Sequence, residues 1–560
     1  MKKNYSSLTL LMVLMTIGAT AQTRYVDAIY TNAQIEVTSD IEYATNIDFL
    51  YSNVSNQMNV GRDITEIKTA LAMSQPIPAK YYNPADTTSD LKVTTIKMDM
   101  YKPLSSEDAT TDRPVIVFIH TGNFLPPPLN GSPSGIKTDS SAIVLCTEWA
   151  KRGYVAVSVD YRLGWNPLAE QADVRRGQLL NAVYRAIHDV KVAVRTLKDN
   201  AATYGINPNK VVLYGEGTGA YVALAYETLD KNEEMELPKF RAGGVGDSYI
   251  NRPVVGEIDG SGGLLNLYAT STTPAEVAAI VTAGGALADT SWLEAGDAPM
   301  IAFHCVRDPF APFSEGTVIV PTTNEDVVDV QGANVYIQKA NKIGNNDAIK
   351  AIKANDPYTI AAEASYGVEF DYIYASPFDK ITVNSDVKGL FPILRPLNSS
   401  TLNNEAGPWQ FWDPASPLAT AIVGEFMGQP VSAHMNSLGS NPGMGPDKGR
   451  AYIDTILGYM CPRIALINDD ITIESLSVNE TLPSTAASVY PNPATSEVTV
   501  TIDTRYTVKA INVIDITGRV VLTANASSTT TLDLNGLQSG YYFVNVSTDR
   551  GMVSTKLIKE

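Results

Sequence analysis

The chain has 560 residues, of which 44% are hydrophobic and 18% are charged, a globular composition that excludes a peptide, a coiled coil or a disordered chain. Its 42 Lys and Arg against 60 Asp and Glu give a formal net charge of −18, which argues against a nucleic-acid-binding surface, because such surfaces need basic patches. The widely spaced Cys146, Cys305 and Cys461 cannot build a disulfide framework or a zinc site, although one pair of them could bridge. We expect no metal ion and no cofactor.

The N-terminus has the pattern of an export signal. Lys2 and Lys3 precede an apolar run at 8–17, and small residues follow at 19–21. The run is too short to span a membrane comfortably, so residues 1–21 are predicted to be a cleaved signal peptide, the alternative being an N-terminal anchor. The remainder is expected to be an exported, soluble protein.

Residues 22–469 alternate strand-like and helix-like segments, which predicts a sheet with helices on both faces. The buried-strand runs are 115–119, 154–159, 210–214, 277–283 and 299–304. Apolar residues at helical spacing between Leu180 and Leu197, and again between Tyr452 and Met460, predict two long helices.

Three of these strands run into short motifs. The motifs are His120-Thr121-Gly122-Asn123, then Asp160-Tyr161-Arg162-Leu163-Gly164, then Gly215-Glu216-Gly217-Thr218-Gly219. Their order resembles the α/β-hydrolase fold, specifically its carboxylesterase-like branch, over about residues 43–466, with long insertions at about 52–90 and 317–429. The resemblance implies a doubly wound, mostly parallel sheet and an ester-cleaving cleft.

The residue that should carry the chemistry is missing. The family's elbow reads Gly-x-Ser-x-Gly, and its tight strand-to-helix turn pushes the central hydroxyl into the cleft. Here Gly215 and Gly219 are the outer pair, so Gly217 takes the nucleophile position without a hydroxyl or thiol. Thr218 is one residue further on, and its side chain is expected to point away from the cleft. The sequence therefore predicts that no serine nucleophile is present.

The oxyanion side is altered as well. The family pattern His-Gly-Gly-Gly turns backbone N–H groups towards the developing anion. In this chain only Gly122 keeps its glycine, whereas Asn123 offers a side-chain amide. The residue after the nucleophile also contributes an N–H in this family. Gly122, Asn123 and Thr218 are therefore our oxyanion-hole candidates.

Two residues match the remaining members of the family's triad. Asp308 follows the strand at 299–304, where the family keeps its carboxylate, although an aspartate before Pro309 is also a common turn residue. Of the four histidines, His434 alone follows Asp308 in the order nucleophile, acid, base. We predict that both are vestigial, because losing the nucleophile costs a serine hydrolase about 10⁶-fold in turnover.

An aromatic cluster lies in the second predicted insertion, at Trp409-Gln410-Phe411-Trp412. It is able to line a sugar or lipid site, or to form the buried core of the insertion.

Residues 470–487 are rich in small and polar residues and are predicted to be a linker, followed by a purely β pattern at 488–560. The tail carries four motifs in order: Tyr490-Pro491-Asn492-Pro493, 514–519, 537–542 and 556–559. They resemble the C-terminal sorting domain of type IX secretion cargo in Bacteroidetes. The resemblance implies export across the outer membrane by the type IX machinery, followed by surface attachment or release. The alternative is a carbohydrate-binding or adhesive β-domain.

The leading hypothesis is an exported, cell-surface pseudoenzyme of carboxylesterase-like fold that binds an unknown ligand or protein partner. The family resembled contains non-catalytic members, among them the neuroligins, whose elbow also carries glycine. Two alternatives remain: an active secreted esterase acting on small esters or acylated polysaccharide through Thr218 or another nucleophile, and a structural or adhesive surface protein.

Overall fold

The computed structural model describes residues 23–319, 325–353, 356–373, 376–395, 404–472, 482, 484–515, 519–525, 527–548 and 551–560. The predicted signal peptide, residues 1–21, lies outside this part of the chain, as do residues 473–481 of the predicted linker.

The secondary structure alternates strands and helices up to residue 467 and is mainly β beyond it. The strands of the described residues are β1 (Ile35–Ile47), β2 (Val93–Pro103), β3 (Arg113–Ile119), β4 (Val155–Val159), β5 (Ile206–Glu216), β6 (Ala279–Ala283), β7 (Met300–Cys305), β8 (Glu315–Ile319), β9 (Asp326–Gln331), β10 (Glu369–Ile373), β11 (Ser376–Thr382), β12 (Leu390–Ile393), β13 (Ile422–Phe426), β14 (Gln429–Ser432), β15 (Ala487–Tyr490), β16 (Glu497–Ile502), β17 (Val508–Asp515), β18 (Val520–Ala524), β19 (Thr529–Asp533), β20 (Gly540–Thr548) and β21 (Gly551–Lys559). The helices are α1 (Gln57–Ala72), α2 (Ser140–Lys151), α3 (Ala172–Asp199), α4 (Ala201–Tyr204), α5 (Thr218–Thr228), α6 (Arg252–Val255), α7 (Ala333–Ile343), α8 (Asp347–Lys350), α9 (Pro357–Glu363), α10 (Pro417–Thr420), α11 (Ala433–Leu438) and α12 (Pro446–Ile467).

Eight strands form one mixed sheet in the order β1-β2-β4-β3-β5-β6-β7-β12. The β1–β2 and β2–β4 pairs are antiparallel, whereas all later neighbours are parallel. The expected α/β fold with a mostly parallel sheet is confirmed.

Helices cover both faces of this sheet. Val115 and Val117 of β3 pack in an apolar cluster with Leu180 of α3, whereas Phe118 packs in a second cluster with Met460 of α12. Successive side chains of a strand point to opposite faces, so burial on both sides explains why the run 115–119 is apolar without interruption. The sheet is therefore doubly wound.

The loops that build the site meet at one edge of the sheet. Because β3, β5, β6 and β7 are parallel neighbours, the residues that follow their carboxyl ends lie close together, which is where open α/β sheets bind ligands. The 160–164 loop is fixed nearby by a buried ion pair, in which Arg162 Nη2 is 2.8 Å from Asp189 Oδ1 of α3 and the side chains are 1% and 0% exposed.

The two stretches predicted to be insertions differ in content. Residues 52–90 contain α1, which packs through Ile64 and Ile67 on a small separate core. Residues 317–429 contain helices, short hairpins and also β12, whose Leu390 pairs with Ala302 of β7. The eighth strand of the main sheet thus comes from this second stretch.

The C-terminal strands form a three-stranded sheet, β15-β16-β19, and a four-stranded sheet, β18-β17-β20-β21. Val498 and Val500 of the first share one apolar cluster with Val544 and Val546 of the second, so this region is a small all-β unit, as expected. Across the described residues, we find no helix with the length and apolar character needed to cross a membrane.

Candidate functional site

The turn between β5 and α5 keeps the shape of a nucleophile elbow. Gly217 has φ 55° and ψ −116°, in the left-handed region that glycine adopts most easily, and its N–H donates to the Ala283 carbonyl at 2.9 Å. A Cβ at Gly215 would lie 2.3 Å from the Gly219 carbonyl oxygen, and one at Gly219 would lie 2.1 Å from the Ile119 carbonyl oxygen. Both outer positions therefore exclude side chains, and the turn is sharp.

The side chain of Thr121 fills the space next to the tip of this elbow. A Cβ at Gly217 would lie 2.2 Å from Thr121 Oγ1 and 3.0 Å from Thr121 Cβ. Rotating Thr121 about χ1, which is stiff for a β-branched residue, would move the hydroxyl but not the Cβ. Position 217 thus has no room for a side chain while Thr121 keeps its conformation.

A second threonine occupies the oxyanion side. The Asn123 N–H donates to Thr218 Oγ1 at 3.2 Å. The Thr218 side chain therefore turns towards the loop after β3. The Asn123 carbonyl in turn accepts from Trp165 Nε1–H at 2.8 Å. Gly122 packs tightly on Gly135, because a Cβ at Gly122 would lie 2.9 Å from the Gly135 Cα. One of the candidate oxyanion donors therefore already has an acceptor within the protein.

Asp308 lies beside the elbow, in the turn that follows β7. A Cβ built on Gly284 would be 3.7 Å from Asp308 Oδ2 and 4.0 Å from the Gly217 Cα. Asp308 Oδ1 accepts from the backbone N–H groups of Phe310 and Ala311 at 2.8 and 3.0 Å, so it also makes the contacts of a turn aspartate. Burial, with the side chain 6% exposed, raises the pKa of Asp308 to about 7.

His434 and His304 engage other partners. His434 lies in α11, where its Nδ1 accepts from Trp412 Nε1–H at 3.1 Å, and no hydrogen bond joins it to Asp308 within the described chain. His304 Nε2 is 3.8 Å from Asp308 Oδ2 but donates to the Ala311 carbonyl at 3.1 Å. Burial lowers the pKa of His304 to about 4, which keeps the ring neutral. Asp308 thus lies next to the elbow, whereas His434 is hydrogen-bonded to Trp412.

Glu216 precedes the elbow and is 1% exposed. Its Oε1 accepts from Gln410 Nε2 and, at 3.5 Å, from Ser141 Oγ. Burial raises the pKa of Glu216 to about 7. Sequence reasoning did not assign this residue a part in the site, although a carboxylate ending a buried strand was a usable signal. The hydrogen bond between Glu216 and Gln410 thus connects the 409–412 segment to the elbow.

A cavity of about 290 Å³ opens above Gly217. Thr121, Thr218 and Asp308 contribute to its wall, and so do Trp409 and Trp412 of the aromatic cluster. Trp409 is also 1% exposed, so the cluster both packs in the interior and borders the cavity. The arrangement can enclose a small ligand above a glycine-centred elbow.

A doubly wound sheet that carries a strand–glycine–helix elbow at the carboxyl end of a central strand defines the α/β-hydrolase class of fold. Residues 98–320 match the family BD-FAE, and residues 488–560 match the family described as secretion system C-terminal sorting domain. The chain carries an esterase-like α/β-hydrolase domain and a type IX sorting domain, which indicates export and a cell-surface or secreted location.

Curated relatives match part of this chain. A neuroligin-like protein of Caenorhabditis elegans is 32% identical over 124 residues, which are 22% of this chain and 14% of the relative. Lipase 2 of Geotrichum candidum is 28% identical over 178 residues, 30% of this chain and 29% of the relative. The chain thus spans less than a third of either relative. Among solved structures, Thermogutta terrifontis esterase 2 phosphonylated by cyclosarin is similar at 20% identity and a TM-score of 0.27, covering 39% of this chain and 69% of that chain.

Proposed function

We propose that this exported protein uses its α/β-hydrolase cleft to bind a ligand without cleaving esters. The observation that carries the proposal is the contact between the elbow and Thr121. A Cβ at Gly217 would lie 2.2 Å from Thr121 Oγ1, so position 217 carries no hydroxyl of its own and has no space for one while Thr121 keeps its conformation.

The other parts of an acyl-transfer site support the same conclusion. Ester cleavage through a covalent intermediate needs a nucleophile activated by a base and donors for the developing oxyanion. The Asn123 N–H is bonded to Thr218 Oγ1, His434 Nδ1 to Trp412, and Asp308 Oδ1 to two backbone N–H groups. One atom of each group is therefore engaged by the protein itself, while the cavity beside the elbow stays open for a ligand.

The hydroxyl of Thr121 is a poor replacement nucleophile. Activation requires a base within hydrogen-bond reach. The Thr121 carbonyl oxygen accepts hydrogen bonds from His120 Nδ1 and from the Tyr161 hydroxyl. Among the described residues, no hydrogen bond joins the Thr121 hydroxyl to a histidine or a carboxylate. A hydroxyl without such a base stays protonated at neutral pH.

Ester turnover and covalent labelling test the proposal. The purified protein is offered p-nitrophenyl acetate and butyrate and, separately, a fluorophosphonate probe followed by peptide mass spectrometry. We expect no adduct, and the same residual hydrolysis in wild type, Thr121→Val, Thr218→Val and His434→Ala. Valine is the matched replacement because it keeps the β-branched shape while removing the hydroxyl. An adduct on Thr121 or Thr218, together with turnover lost on His434→Ala, would show that the cleft is a working esterase.

A further inference from the structure

The cavity has two unlike walls. One wall is apolar and is contributed mainly by α3, α5 and the segments packed on them: Leu180, Val183, Ile187, Ala225, Leu229 and Trp292. The polar wall consists of amides and hydroxyls from the loop after β3, the 404–412 segment and α11: Asn130, Ser132, Ser134, Gln410, Asn436 and Ser437. A ligand that satisfies both walls has an apolar part and a polar part.

The polar wall contains a continuous row of hydroxyl groups. Ser437 Oγ donates to Ser132 Oγ at 3.3 Å, Ser132 Oγ lies 3.0 Å from Ser134 Oγ, and Ser134 Oγ donates to Gln410 Oε1 at 3.4 Å. Each serine hydroxyl is a donor and an acceptor whose hydrogen rotates to suit its partner. The row can therefore exchange hydrogen bonds with ligand hydroxyls, which have the same dual character.

The charge of the lining selects against an ionic headgroup. None of the described residues that line the cavity is a lysine, arginine or histidine, so a carboxylate or phosphate would be buried without a cation. Glu216 and Asp308 are the acidic lining residues, and both already accept hydrogen bonds from the protein. Burial raises the pKa of each to about 7, which also weakens their attraction for a cationic headgroup near neutrality.

We infer that the cavity binds a neutral amphiphile, whose aliphatic chain lies along α3 and α5 and whose hydroxylated head contacts the row Ser132, Ser134 and Ser437. The inference rests on the proposed function, because it takes the cleft to be a binding site. The cavity of about 290 Å³ is at the small end of ligand pockets, so a single short chain with one sugar-like head is the expected size.

Tryptophan fluorescence offers a direct readout. Four of the five tryptophans border the cavity: Trp165, Trp292, Trp409 and Trp412. The probes share an octyl chain and differ in the head: octyl β-glucoside, octanoate, octyl phosphate and octyltrimethylammonium, each below its critical micelle concentration. We expect the glucoside to bind at least about tenfold more tightly than each charged probe. A charged probe that binds as tightly as the glucoside would overturn the assignment of a neutral head.

Variants test the two walls separately. Ser132→Ala combined with Ser437→Ala removes two hydroxyls and should weaken octyl β-glucoside by about tenfold, and should weaken 1-octanol, which has a single hydroxyl, by less. Ser261→Ala, a part-buried serine bonded to Asp259 away from the cavity lining, is the matched control and should change neither. Val183→Phe fills the apolar wall and should weaken both octyl compounds. Unchanged glucoside binding in the double serine variant would refute the inference even if Val183→Phe failed to fold.

Octyl β-glucoside has no ester bond, so its binding is independent of hydrolysis. Glucoside binding together with ester turnover would refute the proposed function and retain the ligand class. The absence of both would refute the ligand class alone.

Discussion

Replacing Gly217 by serine, the residue that the carboxylesterase-like family carries at this position, should destabilise the protein, and should do so less when Thr121 is replaced as well. The turn has φ 55° and ψ −116°, and holding a residue other than glycine there costs about 1–3 kcal/mol. The new Cβ would also lie 2.2 Å from Thr121 Oγ1 and 3.0 Å from Thr121 Cβ, an overpacking that costs about 1–3 kcal/mol more. Gly217→Ser should therefore lower the free energy of unfolding by about 2–6 kcal/mol.

A double-mutant cycle separates the two contributions. In the Thr121→Gly background only the backbone cost remains, so Gly217→Ser should cost about 1–3 kcal/mol less there than in the wild type. Gly443→Ser is the matched control, since Gly443 has φ 67° and no atom within 4 Å of its Cβ position. It carries the backbone cost alone and should not couple to Thr121→Gly.

Urea unfolding of the full chain, followed by tryptophan fluorescence, measures the cycle through shifts of the transition midpoint at constant slope. An equal loss of unfolding free energy for Gly217→Ser in both Thr121 backgrounds would show that Thr121 does not crowd position 217. A loss no larger than that of Gly443→Ser would show the same.

Two further predictions concern buried charges. Glu216→Gln should remove a pH dependence of stability. Burial raises the pKa of Glu216 from 4.5 to about 7, so between these two pH values the folded state keeps a proton that the unfolded state has lost. The free energy of unfolding of the wild type, measured relative to the variant, should therefore fall as pH rises from about 4.5 to about 7. Urea titrations at about pH 5 and about pH 8 measure this difference, and a rise across the window would contradict the assignment. Asp189→Asn leaves Arg162, 1% exposed, without its counter-charge and should cost about 3–5 kcal/mol in the same assay. Asp173→Asn, which removes the exposed pair with Arg176 on α3, should cost less than about 1 kcal/mol, and equal costs would refute the burial argument.

Local sequence signals were enough to predict the elbow. A buried strand that ends in Gly215 and a helix that begins beside Gly219 require glycine because the backbone itself approaches within 2.3 Å of each Cβ position. The apolar run 115–119 indicated a central strand for a similar reason, since it is buried on both faces. Such constraints act within a few residues, so they remain visible in the chain.

Contacts between distant segments were not visible. The sequence showed that Thr121 stands where the family pattern has glycine. It did not show that the Thr121 side chain lies against Gly217. It likewise gave no sign that Trp412 would hold His434, because this pairing depends on how the long segment before α12 folds back. β12 was missed for a different reason: it has four residues and contains Pro392, which weakens the strand pattern.

The contact between Thr121 and Gly217 also bears on how this chain can evolve. A single substitution that places serine at position 217 would meet an occupied space and lower the fraction of molecules that fold. Selection acting on abundance would remove such a variant before any gain in chemistry was available, unless position 121 had already changed. The two residues thus constrain each other, because serine at position 217 becomes less costly once position 121 has changed.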